Sequence, residues 1–585
     1  MTSWVATGAG FSSGYSAVWM DDLTRHTALD GDLRRPDQVM RLDRMGASFP
    51  TRLSFLRTLM RQLHHEKVQV ERPVWDMDGR GFGRAVYSLE LFGHRYSLVC
   101  FSHDLPAKER TDRVIAERWD ATFVLFDGMP SADDLARLEA QVPLQEAGRV
   151  SERELVMSRA NKSLRLFDHV TQSLAAGCLP DIARIGETGY LMRTTAVYGN
   201  GKFGLADRSD LLDRPELAGP FTIEMLTVWM IREFSLDLVE HIAHSRNPDK
   251  AIPLPSDLRR SLGIGNATGL GMAPFLVTHP ELIHKWVAAR ETALARVRAV
   301  AHPSEAEIHA FMRVFDKACI HADMWQVDDP VQSQRITTLR KELAQIKVKM
   351  TKDWFDASNP WDRLFVLAKP LGLEAQECVN SAMLEPYGHL IDALTQDMSF
   401  GPRLRLDPSM ELGPLKAALR NTYDWALRID FDAPEMLHQF WYVSEDKAEP
   451  RLGLRATEPG VALEMPLDIA RQAQDLMAAL EDHPDDHSVA SFVAAHPALR
   501  HIVERVQSIL QHPFGEIRAN LIGKECLPID LLRFKLAFFG ASRFDPKSDR
   551  WTRVTLCQGA PLASEIAVCD PDDWAFFSPP SGFAP

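Results

Sequence analysis

Short alternating runs mark the early part of the chain. Ala85–Leu91, Tyr96–Phe101 and Ala121–Phe126 are each six or seven residues long and rich in β-branched and aromatic side chains, which predicts three strands. The Phe92-Gly93-His94-Arg95 segment between the first two predicts a hairpin turn. Helical spacing fits Arg110–Arg118 and Ser131–Gln141, with the Ser131 hydroxyl placed to cap the second helix. Residues 1–50 follow neither period. Together these segments predict a small α+β domain over residues 1–150.

From Ser151 the apolar positions recur at helical spacing. The pattern predicts one amphipathic helix over 151–176, stopped by Gly177. A hairpin is expected at about 189–206. Helices follow over 221–246, 281–300, 304–320, 332–356, 373–397 and 411–427. Phe440–Val443 reads as a strand, and a charged loop runs on to Gly460. Helices resume over 466–482 and 488–511, and Arg553–Cys557 reads as a late strand. The expected fold class is mixed and predominantly α. An N-terminal α+β domain (1–150) leads into a large helical body (151–400) with a β-hairpin insertion. A mixed connecting segment (401–465) and a C-terminal helical region with a short strand near its end (466–585) complete the chain. At 585 residues the chain exceeds what one core normally fills, and roughly two to four domains are expected.

Charge narrows the partners. Lys plus Arg number 66 and Asp plus Glu 80, a net charge of −14. Such a field repels nucleic acid and anionic membranes, so neither is expected as a partner. The longest apolar stretch, near Phe221–Ile231, is interrupted by Glu224 and too short to span a bilayer. The first residues carry no basic region followed by an apolar core, the signature of a signal peptide. Seven cysteines, an odd number with no CxxC spacing, argue for free thiols in a reducing compartment. A soluble cytoplasmic protein is the expectation, and a homo-oligomer stays open.

Four segments are candidates for chemistry. On the 221–246 helix, Glu233, Asp237, Glu240, His241 and His244 fall within an arc of about 100° on one face. Carboxylates and imidazoles one turn apart can share a divalent metal or move protons. Asp237, His241 and His244 are the catalytic candidates, and with Glu233 they form the metal candidate. A solvated polar stripe explains the same spacing. Next, Arg259-Arg260 precede Gly263, Gly265, Gly269 and Gly271, predicting a flexible loop whose backbone N–H groups face a phosphate. The order lacks the strand, GxGxxG core and following helix of a dinucleotide fingerprint, and a close-packed connector accounts for it equally.

The third candidate is Tyr190–Gly204, where Asn200-Gly201 is a strong turn signal and Arg193, Tyr198 and Lys202 can hold a carboxylate or phosphate. The fourth, Phe440–Gly453, is an aromatic strand followed by charges of both signs, better read as a salt-bridged loop. The other histidines, such as His309, His321, His389 and His438, are dispersed.

The functional expectation is an enzyme acting on a small anionic metabolite by acid–base or metal-assisted chemistry. Arg193, Tyr198, Lys202, Arg259 and Arg260 would hold the substrate. The cofactor is undetermined, with a divalent metal as the candidate. Two alternatives stand beside it: a nucleotide-cofactor oxidoreductase using the glycine segment, and a non-catalytic scaffold or regulator. Arg193 and Arg259 are expected to meet in one basic pocket, and the 233–244 face to line a cleft.

Overall fold

The computed structural model describes residues 33–106, 118–143, 151–194, 221–269, 280–325, 327–396, 406–433, 466–518, 528–546 and 551–577, with isolated positions at 108, 214, 216, 217, 219 and 398. Among the described residues, nine strands form one sheet: β1 (Val70–Met77), β2 (Gly83–Leu91), β3 (His94–Ser102), β4 (Ala121–Asp127), β5 (Glu154–Lys162), β6 (Tyr190–Thr194), β7 (Gly263–Gly269), β8 (Arg543–Pro546) and β9 (Trp551–Leu556). The order is β1-β2-β3-β4-β5-β6-β7-β9-β8. Every pairing is antiparallel except β6–β7, which is parallel. The fold is therefore mixed α/β, with a large helical body.

Period-two alternation decides what covers each face. On β3 and β4, Leu98, Cys100, Phe123 and Leu125 point into the main core, whereas Val99, Phe101, Val124 and Phe126 point the other way. The second set packs under Leu135 and Leu138 of helix α1 (Ala132–Gln141). Ser131 caps that helix in a capping box with Asp134. The first set packs against the long helix α2 (Thr222–Arg246), through Phe234 set edge-on to Phe123 at 5.5 Å. Helix α2 is buried all round from Thr222 to Leu236, and its first half has no solvent-facing side.

Helix α2 occupies the connection between the parallel strands β6 and β7, and parallel neighbours need such a crossover. It is followed by a short helix, α3 (Ser256–Ser261), that leads directly into β7. The helical body continues with α4 (Pro280–Arg298), α5 (Glu305–Asp323), α6 (Pro330–Lys349), α7 (Pro360–Ala368) and α8 (Leu373–Leu384). Towards the C-terminus come α9 (Leu412–Thr422), α10 (Pro466–Glu481), α11 (Val489–Ala495), α12 (Arg500–Gln511) and α13 (Pro528–Phe539). One contiguous apolar core runs from Val39 to Trp574. Among the described residues, no helix is long and apolar enough to cross a membrane.

Several local expectations change. The 151–176 span is strand β5 followed by a helix at Phe167–Ala175, not a single helix. Strand β5 is buried on both faces although its sequence carries Glu154, Ser158, Arg159, Asn161 and Lys162, so its burial does not show as the two-residue alternation of a half-exposed strand. Gly177 does end the helix, at φ +76°. The body expected to be helical over 151–400 thus contributes β5, β6 and β7 to the sheet, and β4 pairs with β5 across residue 150. Strand β1 escaped the pattern because Pro73 interrupts it. As the edge strand, with a register shift between Glu71 and Val74, it accommodates a proline. The β2–β3 turn is tighter than expected: Leu91 pairs with His94, so Phe92 and Gly93, both at positive φ, form a two-residue loop.

Candidate functional site

The polar face of α2 emerges where β1, β2 and α3 meet. Asp237 is its centre. Its Oδ2 accepts hydrogen bonds from the Tyr87 hydroxyl at 2.8 Å and from Arg72 Nη1 at 2.9 Å, and its Oδ1 accepts from Arg259 Nη2 at 3.0 Å. One turn on, Glu240 accepts from Arg259 Nη1 at 2.8 Å and from the Leu254 backbone N–H at 2.9 Å. Arg259 is thus held by two carboxylates from the same helix, whose spacing of three residues places them side by side. Arg72 stacks on the Trp75 ring at 4.5 Å, and 44% of its side chain stays exposed. Burial raises the Tyr87 hydroxyl well above its ordinary pKa, and the Asp237 charge adds to that.

His241 is fully engaged in a structural role. Trp75 Nε1–H donates to its Nδ1 at 3.2 Å, and its Nε2 lies 2.9 Å from the Asp78 carbonyl oxygen. An indole N–H only donates and a carbonyl only accepts, so these two contacts assign the Nε2–H tautomer. His244 is exposed at the end of the helix. The metal quartet expected on this face is not assembled: Asp237 is taken by three donors, His241 by two partners, and His244 faces solvent. Among the described residues, no three His, Cys, Asp or Glu side chains are arranged to hold a metal ion.

Glu233 is different. It is 5% exposed, a backbone N–H of Ala563 hydrogen-bonds its carboxyl, and Oε1 has no hydrogen-bond partner among the described residues. Burial pushes its pKa up to about 7, against the opposing charges of Arg232 and Arg259. The adjoining Arg232 is completely buried and its five N–H groups all meet carbonyls. Nε donates to Leu262, Nη1 to Ala560 and Pro561, and Nη2 to Arg259 and Arg260. It satisfies the orphan carbonyls at the end of α3, where a cation also complements the helix dipole.

The glycine segment is a strand, not a loop. Helix α3 precedes it, and β6 and β9 flank it. Close approach accounts for two of its glycines: a Cβ on Gly263 would lie 2.2 Å from the Leu556 carbonyl oxygen, and one on Gly265 2.6 Å from the Tyr190 ring. Gly269 ends β7 opposite Trp551, and Gly271 lies outside the described residues. Arg193 and the glycine segment do meet, as Arg193 is the register partner of Gly265. The meeting is backbone pairing in a sheet, and Arg193 is buried there. Arg260 lies elsewhere, paired with Asp573 at 2.6 Å and with Glu565. Tyr198, Lys202, the Asn200-Gly201 turn and the 440–453 segment fall outside the described residues.

The sequence reading missed Arg72, Trp75, Tyr87 and Arg232. The first three stand on strands that meet α2 only through long-range packing. Arg232 carried a local signal, a lone cation in the apolar half of a helix. Comparison with protein-family models, with curated proteins and with solved structures finds no match to this chain.

Proposed function

We propose that the chain is an enzyme acting on a small carboxylate- or phosphate-bearing metabolite by acid–base chemistry at the Glu233–Asp237 face of α2. The observation that carries this reading is Glu233, a buried carboxyl with one unpartnered oxygen and a pKa near 7. A group poised between its protonated and ionised forms at neutral pH suits proton transfer, and such perturbed groups concentrate at functional sites. Asp237, one turn away, leads outward to Arg72, whose half-exposed guanidinium suits an incoming anion. In this reading Arg72 and Arg259 bind the substrate, Glu233 and Asp237 handle the proton, and Tyr87 and Glu240 position their partners. The acidic net charge and the free thiols among the described residues support a reducing, cytoplasmic setting without nucleic acid.

A panel of phosphorylated and carboxylated metabolites, screened by thermal shift at pH 7, tests the proposal. At least one should raise the melting temperature, and Arg72→Ala should weaken its binding roughly ten- to hundredfold. If no anion stabilises the protein, or if Arg72→Ala binds the same ligand unchanged, the reading fails. The scaffold reading has one observation in its favour: Arg259 and Arg260 already have carboxylate partners.

A further inference from the structure

Away from the α2 face, two histidines aim the same nitrogen at one point. His483 follows α10, and His496 caps the C-terminal end of α11. Their Nε2 atoms are 3.3 Å apart. In the metal-free chain this is a His–His hydrogen bond, one ring donating to the other. The same spacing also suits two nitrogens bound to one tetrahedral ion: ligand distances of about 2.0–2.1 Å at the tetrahedral angle put the ligands roughly 3.3–3.4 Å apart.

The surroundings hold this geometry. Both histidines precede a proline, Pro484 and Pro497, which disfavours helical backbone at each of them. His496 adopts φ −127° and ψ 63°. The Phe492 ring packs against both, edge-on to His483 at 5.2 Å and against His496 at 4.8 Å. Lys416 Nζ donates to the His483 carbonyl at 2.6 Å and to Asp485 at 2.7 Å, anchoring the loop that follows His483. The 481–486 stretch adds Glu481, Asp482, Asp485 and Asp486, an acidic setting that concentrates cations. His487 belongs to the same loop, but its ring centroid is 6.3 Å from that of His483.

We infer that His483 and His496 form a binding site for a borderline transition-metal ion such as Zn²⁺, Co²⁺ or Ni²⁺. Imidazole nitrogen selects these ions over Mg²⁺ and Ca²⁺, which take oxygen ligands. The two Nε2 atoms supply half of a tetrahedral shell. With no third protein ligand in place among the described residues, water fills the other positions. Binding requires both rings to be neutral and deprotonated at Nε2, so one proton at most is displaced from each. The ion would fasten the end of α10 to the end of α11, stabilising the folded chain by mass action. This site is independent of the function proposed for the α2 face.

Equilibrium dialysis of the full chain against Zn²⁺, with metal analysis, tests the inference, along with the visible absorption of the Co²⁺ form. One equivalent of Zn²⁺ should bind, with an intense tetrahedral Co²⁺ band. His483→Ala and His496→Ala should each weaken binding at least tenfold, while His487→Ala leaves it within about twofold. Circular dichroism of the metal-free variants establishes that they fold. Should they not fold, ¹⁵N-histidine spectra of the wild-type chain decide: Zn²⁺ must shift the Nε2 signals of two residues together. Absence of stoichiometric Zn²⁺, retention of it in the His483→Ala/His496→Ala double variant, or unmoved Nε2 signals would overturn the site.

Discussion

The Tyr87 hydroxyl donates a 2.8 Å hydrogen bond to Asp237, tying strand β2 to helix α2 at the one place where the helix turns polar. The tyrosine is almost fully buried, whereas Asp237 is partly open and shared with two arginines. The bond therefore sits at the boundary between core and solvent. Tyr87→Phe keeps the ring and removes only the donor. It should destabilise the protein by about 1.5 kcal/mol, because Asp237 keeps both guanidinium partners. Urea midpoints measure this, and a loss above about 3 kcal/mol would show that the arginines do not compensate.

Glu233 should make stability fall as pH rises. Its folded-state pKa of about 7 lies above the ordinary carboxyl value of 4.5. Below pH 4.5 the group is protonated in both states and contributes no penalty. Between 4.5 and 7 the unfolded chain ionises first, so folding weakens across that window and stays weaker above it. Glu233→Gln should therefore gain on the wild type by up to about 3 kcal/mol between pH 5 and pH 8. A difference independent of pH would mean that Glu233 ionises normally.

Asp572 should act in the opposite sense. Burial alone would raise its pKa, but Arg57, Arg61 and Arg52 outweigh burial and hold the carboxyl well below the usual range. Arg57, Arg52 and Arg61 lie 2.8, 2.7 and 3.1 Å from its oxygens. The stabilisation is complete above the ordinary carboxyl pKa and is lost as pH falls through the depressed one. Asp572→Asn should cost roughly 3 kcal/mol at pH 7, the scale for breaking a buried pair. The gap between variant and wild type should narrow below pH 4. A gap that widened in acid would contradict the assignment.

Two glycines should respond differently to alanine. At Gly263 the added Cβ meets backbone, the Leu556 oxygen at 2.2 Å, and neither neighbour can yield without breaking β7–β9 pairing. At Gly93, φ is +78° and nothing lies within 4 Å. Gly93→Ala should cost only about 1 kcal/mol, from backbone strain. Gly263→Ala should cost several-fold more, in the manner of overpacking. Similar melting temperatures for the two variants would refute the steric account of the glycine segment.

Arg232 should resist conservative replacement. Arg232→Lys retains the charge but offers three donors on a point-like head instead of five in a planar fork. It leaves buried carbonyls unsatisfied among Arg259, Arg260, Leu262, Ala560 and Pro561. A loss of about 3–5 kcal/mol is expected in chemical denaturation. Wild-type stability in the lysine variant would mean that water replaces the missing donors.

Local pattern alone determined the elements whose signal is contained within a few residues. Strands β2, β3 and β4 alternate, Phe92-Gly93 turns, Ser131 caps α1, Gly177 ends its helix, and the apolar run of Met225–Ile231 marks α2 as a core helix. The polar face of α2 was also legible, because 100° per residue follows from the helix itself. Its partners were decided only by tertiary structure. Asp237 is matched to Tyr87, 150 positions earlier, and Arg232 to Pro561, 329 positions later. Strand β5 hid in a run buried on both faces, and β7 hid in glycines whose small size answers to Leu556 and Tyr190. A residue's period is written in its neighbours along the chain. Whether its charge is free or already paired depends on what folding brings against it, and that is a property of the sheet and core as a whole.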